Sequence, residues 1–150
     1  MRRFRFRLQV ALDHAARLEE SAKLALAAAM AERAEQARAL ERLLGDRDRV
    51  GEELLARQTG ALDLPEVERL RAHLEELCNR IAEQRQAILD SDRVIETRRD
   101  QLVDCMKRRQ VLERLRSIQL TQHRQRELAL ETKELDDIAG MRHSRREASA

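Results

Sequence analysis

Histidine, cysteine and carboxylate side chains are the groups in this sequence that could bind a metal or move a proton. The four histidines, His14, His73, His123 and His143, are scattered along the chain. They form no i, i+4 pair, and no cysteine stands near them at zinc spacing. Cys78 and Cys105 lie 27 residues apart on what reads as one helix, about 40 Å at 1.5 Å per residue, so they cannot bridge within a monomer. Carboxylates are abundant, but at helical spacing from arginine they read as solvated surface partners. No glycine-rich phosphate loop and no Gly-x-Ser-x-Gly element occurs. The reading is a protein without catalytic residues, metal ligands or cofactor.

Arginine and phenylalanine carry more information. Arg2, Arg3, Arg5 and Arg7 crowd the N-terminus, and Lys107, Arg108, Arg109, Arg114 and Arg116 form a second basic stretch opposed only by Glu113. Phe4 and Phe6 are the only aromatic residues of the chain. Phe4 extends the apolar pattern that begins at Leu8 and is expected to point towards Ile118. Phe6 is about 200° round a helix from it, so both cannot lie in one seam. Phe6 then either covers the helix end against Leu115 or Leu120, or stays exposed as an anchor for a partner. This basic charge reads either as a solvated arginine-rich face or as a surface for an acidic partner protein, anionic lipid or nucleic acid phosphates, and the lack of interleaved aromatics argues against single strands in particular.

These groups need a scaffold, and composition indicates its kind. Of 150 residues, 39% are charged and 1% aromatic, with one proline and four glycines. Abundant Ala, Leu, Glu, Arg and Gln with few helix breakers belong to long helices and coiled coils. A sheet protein is excluded, because strands want β-branched and aromatic residues with regular turn signals. Thirty basic residues against 28 acidic ones give a net charge of +2, not that of a dedicated nucleic-acid-binding domain. No apolar run approaches a membrane span, and Leu8 to Leu12 is too short for a signal-peptide core. The expected setting is the cytoplasm.

The stretch from Thr59 to Glu66 holds the only proline and reads as a turn; Asp63 or Leu64 is the helix N-cap, and Asp63 with Glu66 has capping-box spacing. Downstream, Val67, Leu70, Leu74, Leu77, Ile81, Gln84, Ile88, Ser91, Ile95, Arg98, Leu102, Cys105, Arg109 and Leu112 alternate at spacings of three and four. Sustained over more than six heptads, this is a coiled-coil seam, which Arg109 interrupts. Upstream, a second seam runs from Leu8 through Leu12, Ala15, Glu19, Ala22 and Leu26 to Leu54 and Arg57, with its alanines in the first half. Two seams joined by a turn predict an all-α fold: an antiparallel two-helix coiled-coil hairpin. The expected limits are helix one about 4–58, turn about 59–65, helix two about 66–139 and a flexible basic tail over 140–150. Counting from a turn centred near residue 61 places Leu40 opposite Ile81 and Leu8 opposite Arg114 and Leu115. Helix two must then overhang helix one by about 20–30 residues. The overhang keeps a weaker apolar trace in Leu128, Leu135 and Ile138.

The start Phe4-Arg5-Phe6-Arg7-Leu8-Gln9-Val10-Ala11-Leu12, followed by Arg17-Leu18-Glu19-Glu20 and an alanine-rich helix, resembles the FliJ family of the flagellar type III export apparatus. Lys133-Glu134-Leu135-Asp136-Asp137-Ile138-Ala139 is similar to that family's ending. The resemblance implies a non-enzymatic stalk of flagellum biogenesis, working at the cytoplasmic side of the inner-membrane export apparatus. Its implied partners are the hexameric export ATPase, the membrane export-gate protein and export chaperones. It implies ATPase contact through the open end of the hairpin: Phe4, Arg5, Phe6 and Leu8, with Leu135, Ile138 and Arg142 from helix two. A monomeric hairpin without small-molecule substrate is expected. Family members carry aromatics near the hairpin tip for the gate contact, whereas residues 43–50 and 67–81 here have none, so no gate residues are assigned. The alternatives are the equivalent stalk of a virulence-type secretion system, or a coiled-coil spacer whose basic end meets nucleic acid or membrane.

Overall fold

The computed structural model describes residues 3–61 and 63–148, apart from the side chain of Arg146. Arg2 of the basic N-terminus and Leu62 of the turn lie outside the described residues. The chain folds into two long helices, α1 (Gln9–Gln58) and α2 (Leu64–Glu147), packed together as a hairpin. Two compact units are distinguished, one of residues 20–103 and one of residues 1–19 with 104–150.

The turn resolves the choice of cap. The Val67 N–H donates to the Asp63 carbonyl at 3.0 Å, which makes Asp63 the N-cap and places Pro65 inside the first turn, where its missing N–H costs nothing. The Glu66 carboxylate is held by the Arg69 guanidinium at 2.6 Å, and this keeps its pKa below the ordinary carboxylate value. Glu66 also lies where negative charge suits the helix dipole.

Both helix ends outside the turn differ from the sequence reading. α1 begins at Gln9 rather than near Phe4, with the Leu12 N–H donating to the Leu8 carbonyl at 2.9 Å. A helix starting at Phe4 would set Arg5 and Arg7 in its positive first turn. It would also send the two phenylalanines to different faces. At the other end, α2 runs through Gly140 to Glu147. Gly140 has no positive φ, and its carbonyl accepts the Ser144 hydroxyl at 3.0 Å. One interior glycine costs about 1 kcal/mol, too little to stop a helix that meets neither proline nor a left-handed residue.

In the unit of residues 20–103, the α2 seam is the drier side. Val67, Leu70, Leu77, Ile81 and Ile95 are buried, whereas the facing α1 positions Ala22, Leu26, Ala29, Leu40, Leu43, Val50 and Leu54 are half-buried. Alanine side chains are too short to cover their neighbours fully. A polar layer crosses the middle. The Ser91 hydroxyl donates to Gln36 Oε1 at 2.5 Å, the Gln84 amide donates to the Gln36 carbonyl at 3.1 Å, and Arg33 pairs with Asp92 at 2.9 Å. Equal counting from the turn put Arg33 opposite Leu89 and Gln36 opposite Gln86. Asp92 and Ser91 lie further along α2 than counting puts them because each side chain leans towards the N-terminus of its own helix, whereas Gln84, which meets the Gln36 backbone, lies two residues nearer the turn. In an antiparallel pair, the side chains that meet therefore spring from Cα atoms displaced towards both C-termini.

Leu77 is the most buried large side chain of this seam at 2% exposure. Leu77→Ala should lower the free energy of unfolding by about 2–4 kcal/mol, measured by urea titration of helical ellipticity. A loss below about 1 kcal/mol would show that the seam does not close there.

Candidate functional site

The residues singled out for partner binding fall in the unit of residues 1–19 with 104–150. Its core is small: Phe6, Leu12 and Ala15 are buried, and Glu19 is 3% exposed. Glu19 accepts a hydrogen bond from Arg109 Nε, and Arg109 reaches Glu113 with its other arm. The Glu19 hydrogen bond, followed by the Coulomb attraction of Glu113 and Glu19, outweighs desolvation and raises the Arg109 pKa. Glu19 and Arg109, charged residues that interrupt the two apolar seams, are thus each other's partners. Counting had set Glu19 opposite Val103; the pair lies about one and a half turns further on, as two long leaning side chains allow. Arg109 is thereby removed from the basic stretch, which loses the charge that sequence reading had counted as open.

Of the two readings of Phe6, cover and exposed anchor, the structure shows cover. Phe6 is the buried one, at 8% exposure, and is no free anchor. Phe4 does not reach Ile118; it is half-buried with its ring 5.6 Å from His123 at an interplanar angle of 59°. Residues 3–6 are not helical, and an extended chain covers about 3.3 Å per residue against 1.5 Å in a helix. Phe4 therefore reaches further along α2 than helical counting allows, and both rings find cover. The Gln9 N–H donates to the Phe6 carbonyl at 3.2 Å and fixes the bend into α1.

A shallow cleft results, lined by Phe4, Phe6 and Val10 together with Arg3, Arg5, Arg7 and Arg116. Leu8 is exposed next to it. The structure thus brings Phe4, Arg5, Phe6 and Leu8 together. It does not bring Leu135, Ile138 and Arg142 to them. Leu135 lies twelve residues beyond His123 on α2, about 18 Å along the axis, and all three are exposed. From Leu128 onwards every described side chain of α2 is exposed, including Leu128, Leu130, Leu135, Ile138 and Met141.

A second groove had not been read from the sequence. Ala11 and Ala15 on α1 leave a depression against Cys105, Val111 and Leu112 of α2, with Leu18 on its apolar wall and His14, Lys107 and Arg108 also lining it. Alanines four apart beside an exposed leucine were the available signal. Neither cleft assembles a reaction centre. Among the described residues no three His, Cys, Asp or Glu side chains converge as metal ligands, and no helix is long and apolar enough to cross a membrane. Both cysteines are free thiols, Cys78 exposed and Cys105 half-buried on the seam.

The fold and this end define a helical-hairpin interaction protein, its chemistry limited to arginines and exposed apolar side chains. Neither curated proteins nor solved structures provided a match to the chain. The family profile described as flagellar FliJ protein matches residues 4–148. The chain belongs to the FliJ family, a non-enzymatic structural component of the cytoplasmic flagellar export apparatus.

The Glu19–Arg109 pair gives a direct test of how this unit is held. Arg109→Leu takes the guanidinium away from a buried carboxylate and should cost about 3 kcal/mol in urea unfolding. Adding Glu19→Leu should recover most of that loss, since an apolar pair suits the seam as well. If the double variant is no more stable than Arg109→Leu alone, the pairing is not what holds this layer.

Proposed function

We propose that this chain is the stalk of the flagellar export machine, with the open end of its hairpin docked in the ring of the hexameric export ATPase. In this reading it promotes ring assembly and ATP hydrolysis. It also helps couple the ATPase to the membrane export gate and to export chaperones, and so works at the inner face of the membrane. The observation that carries the reading is the bare α2 segment after residue 127. Its leucines and isoleucine have no intramolecular cover, and Arg142 stands beside them. Isolated apolar side chains on a helix surface are ordinary; a run over about four turns in an otherwise paired hairpin calls for a partner. The arginine-lined cleft around Phe4 adds positive charge and apolar surface at the same end. Membership of a family of the export apparatus supplies the class of partner.

The docking test uses the exposed residues rather than Phe6, whose removal would loosen the hairpin itself. ATP hydrolysis by the cognate export ATPase, titrated with the chain, should rise and saturate well below one chain per ATPase subunit. Leu135→Ser with Ile138→Ser should raise the half-saturating concentration roughly tenfold while the helicity of the chain is kept. Undiminished stimulation by this double variant would overturn the assignment of these residues, and no stimulation by the natural chain would overturn the docking.

A further inference from the structure

The outer face of α2 carries a second heptad pattern beside the hairpin seam, and its first residue, Val111, also borders the groove against Ala11 and Ala15. Val111, Arg114, Ile118, Thr121, Gln125, Leu128, Thr132, Leu135, Ala139 and Arg142 follow one another at alternating spacings of three and four, and all of them are exposed. Val111 is 66% and Leu135 67% exposed, large values for aliphatic side chains on a coiled-coil helix. The two threonines on this stripe donate their hydroxyl protons to their own helix, Thr121 to the Ser117 carbonyl at 3.1 Å and Thr132 to the Leu128 carbonyl at 2.9 Å. Their donors are satisfied, so covering these positions strands no hydroxyl and leaves methyl groups to pack.

We infer that this stripe is the interface of a reversible antiparallel dimer, in which the outer face of α2 packs on the same face of a second copy about a two-fold axis at the level of His123. Charge complementarity selects both the occupant and its direction. The half of the stripe before the axis carries Lys107 and Arg114 on its own line with Arg108 at its edge, and the half after it has Glu131 and Asp136 at its edges. Parallel pairing would set like charges against each other. Antiparallel pairing sets each basic half against an acidic one.

The register follows from the heptads. Apolar layers form when Val111 faces Leu135 of the second copy and Ile118 faces its Leu128, each occurring twice by symmetry. The same register sets Asp104 opposite Arg142 of the second copy and Arg108 beside its Asp136. Four apolar layers flanked by surface ion pairs make a weak interface, and Thr121 with Gln125 at the centre adds no apolar area. Dissociation at low concentration follows, which accommodates a chain that is monomeric when dilute. Leu135 and Arg142 belong both to this interface and to the surface proposed for ATPase docking, so a dimerised chain cannot present them elsewhere. The self-association itself does not depend on the docking reading.

Sedimentation equilibrium of the full chain over a wide concentration range tests the inference without any other protein. A monomer–dimer equilibrium is expected. Arg108→Glu and Asp136→Arg should each weaken it roughly tenfold, through two symmetric contacts turned repulsive. The variant with both changes should restore it. Arg108 and Asp136 lie about 42 Å apart along one helix, so restoration can only come from contact between copies. Leu135→Asp, on a segment without hairpin contacts, should abolish dimerisation with helicity retained. A chain that stays monomeric to its solubility limit would overturn the inference. So would association that ignores the single reversals, or a double reversal that does not restore it.

Discussion

A pair of helices offers only one sheltered stripe on each, and every other face is wet. All of the tertiary specificity of this chain must therefore be written along that stripe. Where both sides are aliphatic, as at Val67, Leu70, Leu77 and Ile81, burial supplies stability but little choice of register. Choice comes from the polar layers. Gln36 with Ser91 and Gln84 serves one unit, and the buried Glu19 with Arg109 serves the other. A slip of one heptad would leave Glu19 shielded from water without its guanidinium, an error far costlier than a misplaced alanine. The first turns of α1, with Leu12 and Ala15, thus depend on an ion pair to fix where they sit, and the position of the Phe4–Phe6 segment on α2 depends on it in turn.

Function is organised by the same scarcity of shelter. Residues 3–6 leave the helix and lay both phenylalanines against α2, so the apolar pairing of the hairpin is used up near His123. Beyond that level α2 continues with leucines and an isoleucine that nothing in the chain covers. In the proposed docking this is the surface that a partner covers. A hairpin supplies it by making one helix longer than the other.

The seams and the turn were legible because heptad spacing and a lone proline are local signals. Val67, Leu70, Leu77 and Ile95 could be placed on the dry stripe from spacing alone. Register was less legible: counting Cα positions ignores the lean of side chains, and it misplaces Arg33–Asp92 by three residues and Glu19–Arg109 by six. The start of α1 was missed because heptad counting assumed a helix where arginines oppose the dipole and an extended segment covers both rings. Gly140 was read as a stop because glycine often ends helices, although nothing here required a left-handed residue. Of the residues expected to meet a partner, the exposure of Leu135, Ile138 and Arg142 followed from the overhang. The burial of Phe6 did not, since it depends on a bend that spacing cannot encode.

Hydrogen exchange along α2 in a dilute sample of the full chain, alone and with the export ATPase, tests the central claim most directly. The account predicts slow exchange across the paired part of α2 up to about His123, and fast exchange beyond Leu128 in the free chain. Protection should then appear in that distal segment when the ATPase is added. A distal segment already as protected as the paired part, or one that gains no protection from the ATPase, would contradict the view that this end of the hairpin is left bare for a partner.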